Sequence, residues 1–351
     1  MRDSIAPPGR AAATFTLFTC LLYTLALAIV AALIWTLADR WWLATVLSFA
    51  PRWVLATPLA LLLPMSIRWH RRSILTLIAA GGLLTWPILG LHIPWPGKSD
   101  DPQSPFLRIV TCNIHGRQLN ASEFKGILDE LHPDVVALQD YSAHGRESLF
   151  PPDQWTTRRD GELFLASRYP ITEAQIIPLA EPPPVTFRIR LGAAAYYRLQ
   201  TPVGAFNLIN LHLSSVHSAL DAMRDLDPSS PMQVDYNTRC RDMESSTIEQ
   251  FAATIGDPVV ILGDFNTPRE SSLYQLYWDH FNNAFSTVGF GFGSTHISTE
   301  SSVRIDHILF GEGWRARSCW IAPAAGSPHR PLVADLELDG GSSIQDADAG
   351  R

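Results

Sequence analysis

Apolar residues run from Ala11 to Leu37 without a charged side chain, further than the roughly 20 residues a helix needs to cross a hydrocarbon core. Leu43 to Ile67 and Ile74 to Trp95 repeat the pattern, the middle stretch broken by Pro51 and Arg52 and again by Pro58 and Pro64. The pattern predicts an anchor over residues 1–95 with three membrane spans, 11–37, 43–67 and 74–95. A cleaved signal sequence would have a shorter apolar core followed by a soluble chain, whereas here more apolar sequence follows. Trp41, Trp42, Trp69, Trp86 and Trp95 lie mostly near the span ends, where amphipathic rings gather. Arg52 has to snorkel or lie at an interface.

After residue 95 the period changes. Residues 96–105 are polar and rich in Pro, Ser and Asp, and read as a tether. Short β-rich runs follow at Arg108–Ile114, Asp134–Asp140, Asn207–Leu213, Val259–Leu262, Arg304–Phe310 and Leu332–Leu338. Asn120-Ala-Ser-Glu123 reads as a helix start, with the helix ending near His132-Pro133. A second helix is expected from about Tyr236 to Ile255, and residues 214–234 as a long loop near His212 that shapes access. Alternation of strand and helix with late β pairing predicts a two-sheet, four-layer α/β sandwich over residues 106–338. Residues 339–351, rich in Gly, Ser, Asp and Ala, are expected to be a disordered tail.

Charge refines the picture. Arg2 and Arg10 precede the first span, Arg68, Arg71 and Arg72 fill the second loop, and the first loop holds only Asp39 and Arg40. With three spans this places the amino terminus in the cytoplasm and the domain outside, at a plasma or inner membrane. A re-entrant middle segment would reverse the domain's side. Beyond residue 95 there are 20 basic and 32 acidic residues, a net charge of −12, which is not the basic surface expected of a duplex-DNA gripper. Arg188, Arg190, Arg198, Arg239 and Arg241 are the candidate contacts for an anion, against the plainer reading of solvated charge. Cys20, Cys112, Cys240 and Cys319 have no spacing that fits zinc or a disulfide framework.

The polar residues at strand ends carry the chemistry. The strand from Val259 stops at Gly263 and presents Asp264 and Asn266, which share a parity on extended chain and so converge. Asn113, Gln139 and Asp140 close two other strands, His212 lies near the end of a fourth, Asp306 lies within the β-rich run Arg304–Phe310, and His329 lies in Ser327-Pro-His-Arg-Pro331. Singly, each has an ordinary structural explanation: a strand-end turn, a satisfied core amide, a buried histidine, or an Asp306–Arg304 surface pair. Their joint order is what points to a phosphate site.

In that order the motifs resemble the endonuclease/exonuclease/phosphatase superfamily, which includes pancreatic deoxyribonuclease, exonuclease III type repair enzymes, neutral sphingomyelinases and inositol polyphosphate 5-phosphatases. Leu165-Ala-Ser-Arg-Tyr-Pro-Ile171 adds to the likeness, which covers roughly residues 106–338. The resemblance implies that Asp140, with Asn113 beside it, holds Mg²⁺, for which Mn²⁺ can substitute. It implies Asp264 as general base or proton carrier, Asn266 as donor to a phosphoryl oxygen, His329 as stabiliser of negative charge with Asp306 fixing its tautomer, and His212 as phosphate contact or leaving-group acid. Arg241 is expected to touch substrate. No covalent intermediate is implied.

Two positions depart from the family pattern. Asp140 stands where Glu is common, and Pro328 replaces the Asp of Ser-Asp-His, removing a second metal ligand and favouring a single ion; Asp335 lies too far along the last strand to be taken as its substitute. The expectation is a membrane-anchored, metal-dependent phosphodiesterase, nuclease-like, acting on a phosphate ester of nucleic acid or of a phospholipid or inositol head group. A lipid head-group phosphodiesterase or phosphatase is the alternative enzyme reading, and a non-catalytic binding domain the alternative class.

Overall fold

The computed structural model describes residues 8–94, 104–116, 118–142, 149–187, 190–297 and 302–338. The expected tail, Arg188 and nearly all of the expected tether lie outside the described residues. The chain divides into two compact units, Met1–Leu91 with Glu270–Ser272, and His92–Arg269 with Leu273–Arg351.

The first unit is helical: α1 (Pro8–Leu37), α2 (Trp42–Phe49), α3 (Leu59–Trp69) and α4 (Ser73–Leu83), the last continued by a π turn at Leu84–Ile88. Among the described residues, α1 alone is long and apolar enough to cross a membrane by itself. The expected second span is instead two segments, Trp42–Phe49 and Arg52–Trp69, bent by 82°. Pro51 lacks the N–H a continuous helix would use, so the break sits there. The expected third span is shortened to Ser73–Ile88, about 24 Å of helix, because Pro87 is followed by Gly90 in a left-handed turn. Arg52 is buried at the bend and donates from Nη1 to the Ile88 carbonyl at 2.7 Å.

The helices of this unit bury Leu27, Ile34, Leu84 and Ile88 together with small and polar side chains. Thr16, Cys20, Ser66 and Ser73 are buried between helices, and Cys20 Sγ lies 3.4 Å from Ser66 Oγ. Phe15, Phe18, Leu22, Leu25 and Ile29, at helical spacing along α1, are exposed.

The second unit opens with β1 (Leu107–Asn113), α5 (Ala121–Leu131), β2 (Val135–Gln139), β3 (Thr156–Asp160), β4 (Leu163–Ser167) and β5 (Ile171–Ile176). It continues through β6 (Ala193–Thr201), β7 (Gly204–His212), α6 (His217–Arg224), α7 (Ser230–Ile255), β8 (Val259–Asp264) and α8 (Ser272–Tyr277). The last elements are β9 (Asn282–Asn283), α9 (Ala284–Val288), β10 (His296–Ile297), β11 (Ser302–Val303), β12 (Asp306–Phe310), β13 (Trp314–Ile321) and β14 (Leu332–Leu338). Asn120 caps α5 as expected, its Oδ1 accepting from Ser122 N and Glu123 N, and His132 ends the helix in a left-handed turn before Pro133. The region expected to be a long loop is largely helical, because α6 occupies part of it and α7 begins at Ser230, ahead of the expected start at Tyr236.

Two six-stranded mixed sheets, ordered β13-β14-β1-β2-β4-β3 and β5-β6-β7-β8-β12-β9, pack face to face. Strand parity assigns the layers. Leu107, Ile109, Val135 and Ala137 from one sheet meet Phe206, Leu208, Val260, Leu262 and Ile308 from the other. Residues of the opposite parity, Val110, Cys112, Val136 and Leu138, pack on Phe124 and Leu128 of α5. Likewise Ile209, Leu211 and Ile261 pack on Ile248 and Ala252 of α7. Both faces of each central strand are covered, which is the expected four-layer sandwich and explains why these strands are apolar throughout.

Candidate active site

Asn113, Gln139, His212, Asp264 and Asp306 all carry the parity that points between the sheets. The register then brings them level: β1 and β2 run parallel with Asn113 beside Gln139, β7 and β8 run parallel with His212 beside Asp264, and antiparallel β12 sets Asp306 opposite Asp264. The open end of the inter-sheet core is therefore a cavity of about 450 Å³, lined by Asn113, His115, Asp140, Arg190, His212, His217, Asp264, Asn266, His296 and His329 among others.

Asp264 lies at the centre, buried. Its Oδ2 accepts from Asn113 Nδ2 at 2.9 Å and lies 3.6 Å from His212 Nε2 and 3.7 Å from His329 Nε2. Each histidine is backed by a carboxylate: His212 Nδ1 is 2.8 Å from Glu162 Oε1, and His329 Nδ1 is 2.9 Å from Asp306 Oδ2. Burial alone would lower the His329 pKa, but Asp306 and Asp264 outweigh it and hold it up at about 9. The His212 pKa is raised in the same way, with burial opposed by Glu162 and Asp264. Ser327 Oγ ties the His329 segment to the site by donating to the Asn113 carbonyl at 2.7 Å.

Asp264 and Asn266 do converge, but by a turn rather than by extended parity. β8 ends at Asp264, Asn266 adopts a left-handed conformation with φ 46°, and its backbone N–H donates to Asp264 Oδ1 at 2.9 Å. Asn266 Nδ2 donates to the Leu213 carbonyl at 2.8 Å, committing one amide hydrogen to the β7–α6 connection. Asp140 and His115 also sit at positive φ, 53° and 47°. Such strain in non-glycine residues collects where a site fixes the backbone.

Asp140 lines the cavity with its carboxylate paired to Arg190 at 2.8 and 2.9 Å, and Arg190 also binds Glu162. Burial would raise the Asp140 pKa, but the Arg190 guanidinium holds it below the usual carboxylate range. Asn113 Oδ1 accepts from His115 N at 2.9 Å. Gln139 is wholly buried, donating to Thr111 Oγ1 at 3.0 Å and to Asn210 Oδ1 at 2.7 Å, so it links the two sheets beneath the cavity.

Arg241 does not reach the cavity. It is fully buried on α7 and donates to the Ser214 carbonyl at 3.3 Å and to Thr238 Oγ1 at 3.2 Å, which corrects its expected contact with substrate. Its neighbour Glu244 accepts from Gly192 N and Ser214 N, both at 2.8 Å, joining the Arg190 segment to the His212 loop. Asp335 pairs with Arg108 through two bonds of 2.7 and 2.9 Å and lies outside the cavity lining. Arg304 stacks on Phe285 with 4.7 Å to the ring centroid, leaving Asp306 to His329.

Sequence reasoning missed Glu162, His115, His217 and His296. Glu162 follows Asp160-Gly161, a hairpin-turn signal that hides a functional carboxylate. His296 lies in a two-residue strand with no period to read, and His217 in a region read as loop. His217, His296 and His329 form a row of rings with successive centroids 4.7 Å apart. Burial lowers the His217 pKa and takes that of His296 to about 3.

The donor set suits a divalent cation. Asp264, Asp306 and His329 offer ligand atoms within 4.8 Å of one another. Asp306 Oδ1 is buried with no hydrogen-bond partner among the described residues. Hard oxygen donors of this kind favour Mg²⁺-like ions.

A two-sheet sandwich with carboxylate-backed histidines around a central aspartate at its strand ends defines a hydrolase-type phosphate site. Residues 110–329 match the model of the Endonuclease/Exonuclease/phosphatase family, and the chain belongs to that family. No curated protein matches it. Among solved structures it is similar to an endonuclease/exonuclease/phosphatase family protein from Bacteroides thetaiotaomicron, with 14% identity, a TM-score of 0.52, and 68% of this chain and 99% of that one covered. It is also similar to an endonuclease/exonuclease/phosphatase from Beutenbergia cavernae, with 17% identity, a TM-score of 0.50, and coverage of 67% and 72%. Another from Bacteroides vulgatus shares 17% identity at a TM-score of 0.50, with coverage of 67% and 100%.

Proposed function

We propose that the chain is a membrane-anchored, divalent-metal-dependent phosphoesterase that cleaves a phosphodiester by attack of water. The observation that carries this reading is Asp264 Oδ2 lying within 3.7 Å of two histidines, each held by its own carboxylate. Asp264 takes the proton of the attacking water, held in place by the Asn113 amide. His329, cationic at neutral pH, stabilises charge gathering on the phosphoryl oxygens. His212, kept protonated by Glu162, donates to the leaving oxygen. The ring nitrogens bound to Glu162 and Asp306 leave the opposite nitrogens facing the cavity. Asp140 with Asn113, together with the carboxylates of Asp264 and Asp306, would hold the metal, the cationic His329 having no nitrogen lone pair to give it. When bound it would polarise a phosphoryl oxygen and offset its charge. Pro328 supplies no carboxylate, which supports one ion rather than two.

The anchor reading rests on the exposed apolar stripe of α1 and on the buried polar groups behind it. Purified full-length protein in detergent should hydrolyse bis-(p-nitrophenyl) phosphate with Mg²⁺ or Mn²⁺ and stop with chelator. Asp264→Ala and His329→Ala should each lower turnover by about a hundredfold or more. Unchanged rates in both variants would refute the assignment.

A further inference from the structure

His92 and Gly291 exchange both backbone hydrogen bonds, N to O at 2.8 and 2.9 Å. In such an antiparallel pair the flanking residues project to the face opposite the paired ones. The His92 ring turns toward Phe285, with centroids 6.3 Å apart. Ile93, Phe290 and Phe292 turn outward, and are 67%, 74% and 47% exposed. Residues 288–297 contain no Asp, Glu, Lys or Arg, so a compact apolar patch stands on a domain that is otherwise strongly acidic. Isolated exposed apolar residues need no explanation; two phenylalanines and an isoleucine side by side do.

The chain itself says what covers the patch. Ile93 is five residues beyond Ile88, where the helical part of the apolar segment ends. A chain of that length spans at most about 18 Å. Whatever the arrangement of the two units, the patch is tethered close to the end of a segment read as lying in lipid. Phe292 is in turn four residues from His296, a wall of the catalytic cavity, which keeps the two within about 14 Å.

We propose that Ile93, Phe290 and Phe292 insert into the lipid–water interface and hold the cavity mouth at the membrane surface, so that the substrate is a phosphodiester carried on a lipid. This rests on the anchored-phosphoesterase reading. The net charge of −12 beyond residue 95 repels anionic surfaces, so insertion is apolar and indifferent to salt, unlike docking through a basic patch.

The test uses the full chain reconstituted in phosphatidylcholine vesicles. The four native cysteines are buried, so Phe290→Cys can be labelled selectively with an environment-sensitive nitrobenzoxadiazole probe, and exposed Asp153→Cys serves as reference. Probe emission at position 290 should fall at least twofold when the vesicles contain shallow doxyl-labelled phosphatidylcholine, in 0.5 M salt as in low salt, while that at position 153 stays unchanged. Protein that floats with the vesicles but shows no quenching at 290 overturns the surface and leaves the anchor standing. Protein that does not float overturns both. In the double variant Phe290→Ser/Phe292→Ser, kcat/KM for a vesicle-borne p-nitrophenyl phosphodiester should fall about tenfold, with bis-(p-nitrophenyl) phosphate in solution within twofold of wild type. Equal losses on both substrates, or none on either, would overturn the proposal.

Discussion

Glu162 holds His212 as Asp306 holds His329, yet Glu162 is also shared with Arg190. Removing its charge should change the histidine as well as the rate. In Glu162→Gln the His212 pKa, followed by NMR of the imidazole, is expected to fall, and turnover on bis-(p-nitrophenyl) phosphate to drop by about ten- to a hundredfold. A second expectation concerns pH. The His329 pKa is raised from 6.5 to about 9, so the folded state favours its cation. The stability this contributes is complete below pH 6.5 and is lost as pH rises through 9. For chelator-treated protein, the thermal midpoint should decline over that window in wild type and more shallowly in His329→Gln. At this scale the sequence disclosed the residues whose polarity broke an apolar run, such as Asp264, Asp306 and His212. It concealed Glu162, whose neighbours already explained it as a turn, and it misplaced Arg241, because nothing in a charged residue's spacing shows that its helix face will be buried.

Gly263 shows how an element delivers a residue. Its φ is 135°, and a Cβ there would meet the Leu211 carbonyl at 1.9 Å, since β7 and β8 lie against each other at that point. Gly263→Ala should therefore destabilise the fold by roughly 3 kcal/mol or more, through strain and forced separation of the strands. A denaturant midpoint within error of wild type would contradict this. The strands and α5 were legible because each satisfies a period or a cap that its own residues supply. The α6 segment was not: its eight residues are held by packing on α7, and the intervening Asp, Pro and Ser residues look like loop. The second and third apolar stretches were long enough to read as spans, but where their prolines would break the helix was not given by hydropathy.

For the whole molecule, the bend between α2 and α3 bears on sidedness. Three straight spans would place the domain outside the cytoplasm, and a bent middle segment that returns to its own side would place it within. Alkaline phosphatase fused to the carboxyl terminus should be active in the first case and silent in the second. The positive charge of the loop holding Arg68, Arg71 and Arg72 favours an active fusion. The sandwich itself was legible because alternating strands and helices admit few layered solutions. The pairing of strands from opposite ends of the domain was not, since no local pattern records a partner so far along the chain.

That pairing has a consequence for biogenesis. Arg108, in the first strand after the helical unit, lies opposite Asp335, near the close of the last. Of the two neighbours of β1, β2 follows soon after it, but β14 on its other edge comes 227 residues later at the Arg108–Asp335 pair. Contacts this distant form slowly. On the anchored reading proposed above, the apolar helices would reach the insertion machinery before the sandwich could close, so the polypeptide would acquire its address before its chemistry.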